Sequence, residues 1–124
     1  MADAPARILV CDGVERWVAR REGEAVASGA EPRRWRVRLF ADGRAETAGH
    51  AGRWVGTHAR LHGSRPAPAG AASLEVLAND IVVDLETMRL SGERRLRYLR
   101  TPYDHATVAH ETERVATGRC FWSG

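Results

Sequence analysis

Residues Arg34-Trp35-Arg36-Val37-Arg38-Leu39 alternate strictly between arginine and a large apolar side chain. Period two places Arg34, Arg36 and Arg38 on one face of an extended segment and Trp35, Val37 and Leu39 on the other, which defines a half-buried β-strand. Punctuation of the same kind surrounds it. Arg7–Cys11 is apolar and runs into Asp12-Gly13, a strong short hairpin signal, after which Val14–Arg20 reads as the next strand. Arg21–Glu24 makes a turn, Glu31-Pro32 interrupts the pattern, and Ala41-Asp42-Gly43 closes another hairpin. A further strand spans Arg53–Leu61. Arg16-Trp17, Arg34-Trp35 and Arg53-Trp54 recur as a faint echo, each opening a strand with a Trp on the core side.

The second half is less decided. Residues 65–72, rich in Pro, Ala and Gly, form the one clear loop. Between Ser73 and Leu90, Leu74, Leu77, Ile81, Leu85 and Met88 fall at helical spacing. The β-branched run Ile81–Val83 and the turn dipeptide Asn79-Asp80 favour two strands instead. Asp104 to Gly118 carries the same helix-or-strand ambiguity. Arg94–Arg100 reads as a basic strand, and Gly118–Trp122 as a final strand carrying aromatic bulk inward.

The fold expected is mostly β: a single domain over residues 1–124, an antiparallel sandwich or a partly open barrel or jellyroll, with one or two helices possible in the second half. A chain of 124 residues closes one core without needing metals or bridges. The expected core is Ile8, Val10, Trp17, Trp35, Val37, Leu39, Trp54, Ile81, Leu85, Leu96 and Phe121. Cys11 and Cys120 read as reduced thiols, a bridge between them requiring a fold that brings their Cα atoms within ~7 Å. No apolar run reaches the ~18 residues of a membrane span, and the start has no apolar leader segment, so a cytoplasmic protein is expected.

The net charge is +3, every basic residue is Arg, and Lys and Gln are absent. Guanidinium groups are planar, weakly hydrated and suited to phosphate or carboxylate. Two arginine-lined strands, with Arg34, Arg36 and Arg38 on one and Arg95, Arg97 and Arg100 on the other, therefore point to a non-catalytic binding or assembly protein. Its partner is nucleic acid or another anionic molecule, or sister subunits in a homo-oligomer paired through exposed strand edges. The alternative is a small β-barrel enzyme or small-molecule-binding protein, with His58 or His62 working beside Asp80 or Asp84 in a cavity lined by Trp17 and Trp54. His58 and His62 lie ~13 Å apart on a strand, too far to share one metal. No nucleophile elbow, phosphate loop or dinucleotide fingerprint is present, and no catalytic residue, metal or cofactor is assigned.

The segment Ala78–Gly92, with Asp80, Asp84 and a closing Leu90-Ser91-Gly92, resembles the repeat unit of the lipopolysaccharide-transport periplasmic proteins. Glu86-Thr87-x-Arg89-Leu90 returns as Glu111-Thr112-x-Arg114-Val115, and Arg38–Gly43 is similar to the family's strand-then-Asp-Gly step. The resemblance implies an open jellyroll whose apolar groove shields lipid chains, with basic groups near an acidic headgroup. It also implies a periplasmic location, for which the sequence shows neither export signal nor anchor.

Overall fold

The computed structural model describes residues 7–64, 71–100 and 108–123. All regular structure among them is strand: β1 (Arg7–Arg21), β2 (Glu24–Leu39), β3 (Arg44–Thr47), β4 (His50–Val55), β5 (His58–Gly63), β6 (Ala71–Asp84), β7 (Arg89–Arg100) and β8 (Val108–Trp122). Each strand pairs antiparallel with its sequence neighbour, and β8 returns to β1, closing an eight-stranded up-and-down barrel. No helix long and apolar enough to cross a membrane occurs among the described residues.

The barrel is lopsided. β1, β2 and β8 run for 15, 16 and 15 residues, whereas β3, β4 and β5 run for only 4, 6 and 6. β5 pairs with β6 only at residues 80–84, and β3 pairs with β2 only at residues 38–39. The lower barrel is therefore fully closed, and a tall wall of β6-β7-β8-β1-β2 rises above the short hairpins. Along that upper part, one flank of β2 and one of β6 has no strand partner among the described residues.

Strand phase decides what fills the interior. Leu9 and Cys11 on β1 pair with Val37 and Trp35 on β2 and with Trp122 and Cys120 on β8. Leu39, Ala45, Ala59, Leu61, Ile81, Val83 and Leu90 complete an apolar plug in the lower barrel. Eight strands enclose a space just wide enough for side chains to fill or for one small ligand, and this plug fills the lower half.

Several sequence expectations change. The alternation of Arg34–Leu39 holds, with Trp35, Val37 and Leu39 buried, and the turns at Glu22-Gly23 and Ala41–Gly43 stand where expected. Asp12-Gly13 is no hairpin: it lies inside continuous β1, opposite Arg34 and Arg33. A Cβ on Gly13 would overlap the Thr117 carbonyl oxygen, so glycine there permits close approach of β8 rather than a turn. Pro32 likewise sits within β2, on a stretch whose second flank carries no strand partner, where a missing N–H is tolerated. Arg53–Leu61 is two strands split by Gly56-Thr57, with Gly56 at φ +60°. Asn79-Asp80 lies inside β6, and the β6–β7 turn spans residues 85–88 instead.

The region from Ser73 to Leu90 is thus strand, turn and strand, not helix. Residues 108–117 of the other ambiguous stretch are strand too. Residues 65–70 of the loop and 104–107 of the second stretch lie outside the described residues. Among the expected core residues, Val10, Trp35, Val37, Leu39, Ile81 and Leu96 are buried, and Trp54 and Leu85 pack at the plug's margin. Ile8 and Trp17 are half-buried, and Phe121 is 48% exposed because its neighbours Cys120 and Trp122 take the inward phase.

Candidate functional site: a charged lumen above an apolar plug

Cys11 and Cys120 face each other directly across β1 and β8 and form a disulfide, with Cα atoms 4.0 Å apart. This corrects the reduced-thiol expectation. Sequence separation of 109 residues gave no hint that barrel closure makes them neighbours. The bridge lies in the plug, on the seam between the first strand and the last.

Above the plug the inward phase turns polar. The register carries inward positions from Asn79 on β6 to Arg94 on β7, Arg114 on β8 and Trp17 on β1, each directly opposite the next. One step lower, Gly92, Ala116, Glu15 and Glu31 form the next inward row. Gly63 leaves the space that the Asn79 side chain fills, and a Cβ on Gly29 would lie 2.8 Å from the Trp17 indole nitrogen. Small residues on short or opposing strands thus make room for large side chains from the wall.

Glu15 organises the charges. Its carboxylate accepts from Arg114 at 2.7 Å and from Arg33 at 3.3 Å, while Arg114 also reaches Glu31 at 3.4 Å. The Glu15 side chain is only 14% exposed, so these are charge-assisted bonds in a partly desolvated setting. Arg94 stands apart. It makes no ion pair with any described carboxylate, and its Nε is buried without a hydrogen-bond partner. Burial, then the adjacent Arg114 charge, holds this guanidinium below its ordinary pKa, opposed by Glu15 and reinforced by Arg33.

These side chains border a cavity of about 510 Å³, whose far wall is the β3–β4 turn with Ala48 and His50, and Ser64 beyond β5. Three polar atoms around it are buried and unpartnered: His50 Nδ1, Asn79 Oδ1 and Arg94 Nε. Asn79 donates its Nδ2 to the Ser64 carbonyl at 3.1 Å, which fixes Oδ1 as the free acceptor. A second hollow, of about 550 Å³, lies on the barrel exterior over β6–β8 and β1. Its two carboxylates are engaged: Asp12 holds Arg34 at 2.6 and 3.0 Å, and Asp84 accepts the Glu86 and Thr87 backbone N–H groups, while Arg89 and Arg119, cross-strand partners on β7 and β8, also line it.

The arginines, histidines and aspartates singled out from sequence whose side chains are described sit on the outer surface. Arg34, Arg36 and Arg38 are exposed, with Arg34 paired to Asp12 and Arg38 to Glu46 at 3.3 Å. Arg95 lies near Glu93, Glu111 and Glu113, and Arg97 near Glu75 and Glu111. The Arg100 side chain is outside the described residues. Trp35 points into the plug, so it offers no stacking surface beside those arginines.

His58 pairs with Asp84 at 3.7 Å and His62 with Asp80 at 2.6 Å, cross-strand partners of β5 and β6. The histidine–carboxylate partnership therefore forms, but on the exterior. Even phase on these strands faces solvent, and of the four residues Asp80 alone also borders the cavity. Trp17 lies in the lumen and Trp54 at the plug, where its Nε1 donates to the Phe40 carbonyl at 2.8 Å. No group of three or more His, Cys, Asp or Glu suited to a metal occurs among the described residues.

The lumen residues Glu15, Glu31, Arg33, Arg94 and Arg114 were not singled out as a site from the sequence. Charged residues in phase with core positions, Glu15 with Trp17 and Glu31 and Arg33 with Trp35, were the available signal, and the continuity of β1 and β2 was needed to read it. Comparison with protein-family models, with curated proteins and with solved structures gives no match.

Proposed function

We propose that this protein is a small-molecule-binding barrel whose ligand occupies the lumen above the plug. The observation that carries the reading is convergence: His50, Asn79 and Arg94, side chains from three different strands that each carry a buried, unpartnered polar atom, line one cavity. An unsatisfied buried polar group costs about 1–3 kcal/mol, and a ligand supplying the missing partners removes that penalty. A volume of about 510 Å³ lies within the usual range of small-molecule sites.

The exterior arginine faces support a macromolecular anionic partner less well, because most of their guanidiniums already face carboxylates. A lipid-groove role of the lipopolysaccharide-transport kind also fits less well, since the open half of the lumen is charged. The disulfide supports residence in an oxidising compartment rather than the cytoplasm.

A thermal-shift and native mass-spectrometry screen of polar metabolites tests the reading, using wild type, Gly92→Leu and Ala48→Trp. Gly92→Leu fills the lumen from its floor, and Ala48→Trp blocks its mouth from an exposed turn that tolerates bulk. Ligands that raise the wild-type Tm and fail to do so in both variants support a lumen site. Ligands that act equally on all three proteins place binding elsewhere and overturn it.

A further inference from the structure

Resting on the lumen reading, the geometry points to a ligand class: we infer that the lumen takes a small hydroxy-monocarboxylate, its carboxylate on Arg94 and its hydroxyl donating to Asn79 Oδ1. Charge comes first. Three inward guanidiniums, Arg33, Arg94 and Arg114, meet two inward carboxylates, Glu15 and Glu31, and both carboxylates are engaged by Arg33 or Arg114. Among these inward groups one positive charge is left over, and it resides on Arg94, whose Nε has no partner; Asp80 and Glu93, which also border the cavity, lie against His62 and Arg95. A monoanion neutralises it. A phosphate monoester, near two negative charges, brings an excess charge beside Glu15 and Glu31. A cation meets carboxylates already held by Arg33 and Arg114, with the Arg94 guanidinium beside them.

Position supplies the second half. Asn79 and Arg94 are directly opposed on β6 and β7, so their Cβ atoms lie about 5 Å apart on the same inward face. Asn79 has its amide nitrogen committed to Ser64 and only an acceptor left. The group next to the ligand's carboxylate must therefore be a hydrogen-bond donor. A hydroxyl meets that need without adding charge, whereas an ammonium cancels the anion that Arg94 requires. His50 Nδ1, across the cavity, contacts a further polar group in either tautomer. Arginine suits this task because its planar fork binds a carboxylate through two parallel N–H donors.

Isothermal titration calorimetry with lactate and mandelate, their 2-deoxy counterparts, their primary amides, and phosphoglycolate tests the assignment. The hydroxy acids are expected to bind saturably. The amides should bind at least tenfold more weakly, the deoxy acids about 5–100-fold more weakly through the unpaired Asn79 acceptor, and phosphoglycolate more weakly than lactate. Arg94→Gln should erase the acid-over-amide preference, and Asn79→Leu the hydroxy-over-deoxy preference while acid binding persists. Circular dichroism confirms that each variant folds.

No binding by any hydroxy acid, equal binding of acid and amide, or tighter binding of phosphoglycolate overturns the ligand class. The lumen reading fails separately. If another ligand binds wild type and is lost in Ala48→Trp, the lumen stands and only the class is wrong. If a hydroxy acid binds Ala48→Trp and Gly92→Leu as well as wild type, the lumen itself is wrong.

Discussion

Cys11 and Cys120 form a disulfide across the β1–β8 pair, so one covalent bond crosses the seam at which the barrel closes. Every other strand pairing among the described residues is between sequence neighbours, and this seam brings the first and last strands together. Closing a loop of this length lowers unfolded-state entropy by up to about 4.7 kcal/mol in the chain-entropy view, with about 2–4 kcal/mol commonly realised. Reduction, or the Cys11→Ala/Cys120→Ala pair, should lower the unfolding free energy by about 2–4 kcal/mol with the far-UV strand signature retained. Urea melts with and without reductant measure it.

Glu15 holds two cations that would otherwise face Arg94 across a partly desolvated lumen. Glu15→Gln keeps the shape and removes the charge, leaving three guanidiniums around Glu31 alone. Breaking a buried pair from one side costs about 3–5 kcal/mol. Partial exposure of Arg114 moderates this, so a loss of about 2–3 kcal/mol is expected in denaturant melts. The same variant should bind carboxylates more tightly. A neutral effect on both readouts would remove Glu15 as the organiser.

Gly13 lies where the β8 backbone at Thr117 and Gly118 leaves no room for a Cβ on β1. Gly13→Ala introduces a Cβ against backbone, which cannot swing aside as a side-chain end does. The expected loss exceeds about 3 kcal/mol, at the upper end of overpacking effects. Gly23→Ala, with open space around it but φ +83°, should lose only about 1 kcal/mol. Comparing their melting curves separates close approach from backbone conformation.

Acid stability follows the carboxylates bonded in the folded state. The Thr87 and Glu86 backbone N–H groups hold Asp84 below its ordinary pKa, the Arg44 backbone and side chain do so for Asp42, and the hydrogen bond from Arg34 does so for Asp12. A depressed folded pKa contributes stability that is fully present above the unfolded value, ~3.9. That stability is lost as pH falls through the lower folded value. Tm should therefore fall between roughly pH 5 and pH 2. Asp84→Asn should show a smaller fall than wild type.

Outer-face arginines paired to carboxylates should be poor phosphate binders. A mixed-sequence single-stranded oligonucleotide, titrated at about 50 and 200 mM salt, is expected to give no saturable change in tryptophan fluorescence. Steeply salt-dependent quenching that vanishes when Arg34, Arg36 and Arg38 are replaced together would return the arginine strands to the centre of the protein's function.

Much of the β architecture was legible because alternation is a local signal. Arg34–Leu39 and the Asp42-Gly43 turn needed nothing beyond neighbouring residues. The misreadings share one cause. Asp12-Gly13 and Glu31-Pro32 are turn-forming dipeptides in isolation, but long strands wrapping a closed barrel override them. Gly13 is demanded by a strand 100 residues away. Reading Asp12-Gly13 as a turn cut β1 in two, so Ile8 and Val10 stood in the expected core in place of Leu9, out of phase with Trp17; Cys11 was read as a thiol because a cytoplasmic protein was expected.

The sequence by itself determined the strand class, the alternating faces and several of the turns, since these depend on period-two spacing and on backbone preferences within a few residues. Only the tertiary structure decided that β1 meets β8, that two cysteines pair, and that charges from β1, β2, β7 and β8 share one lumen. Those relations depend on closure and register between strands far apart in sequence. One residue of phase moves every side chain on a strand from inside to outside.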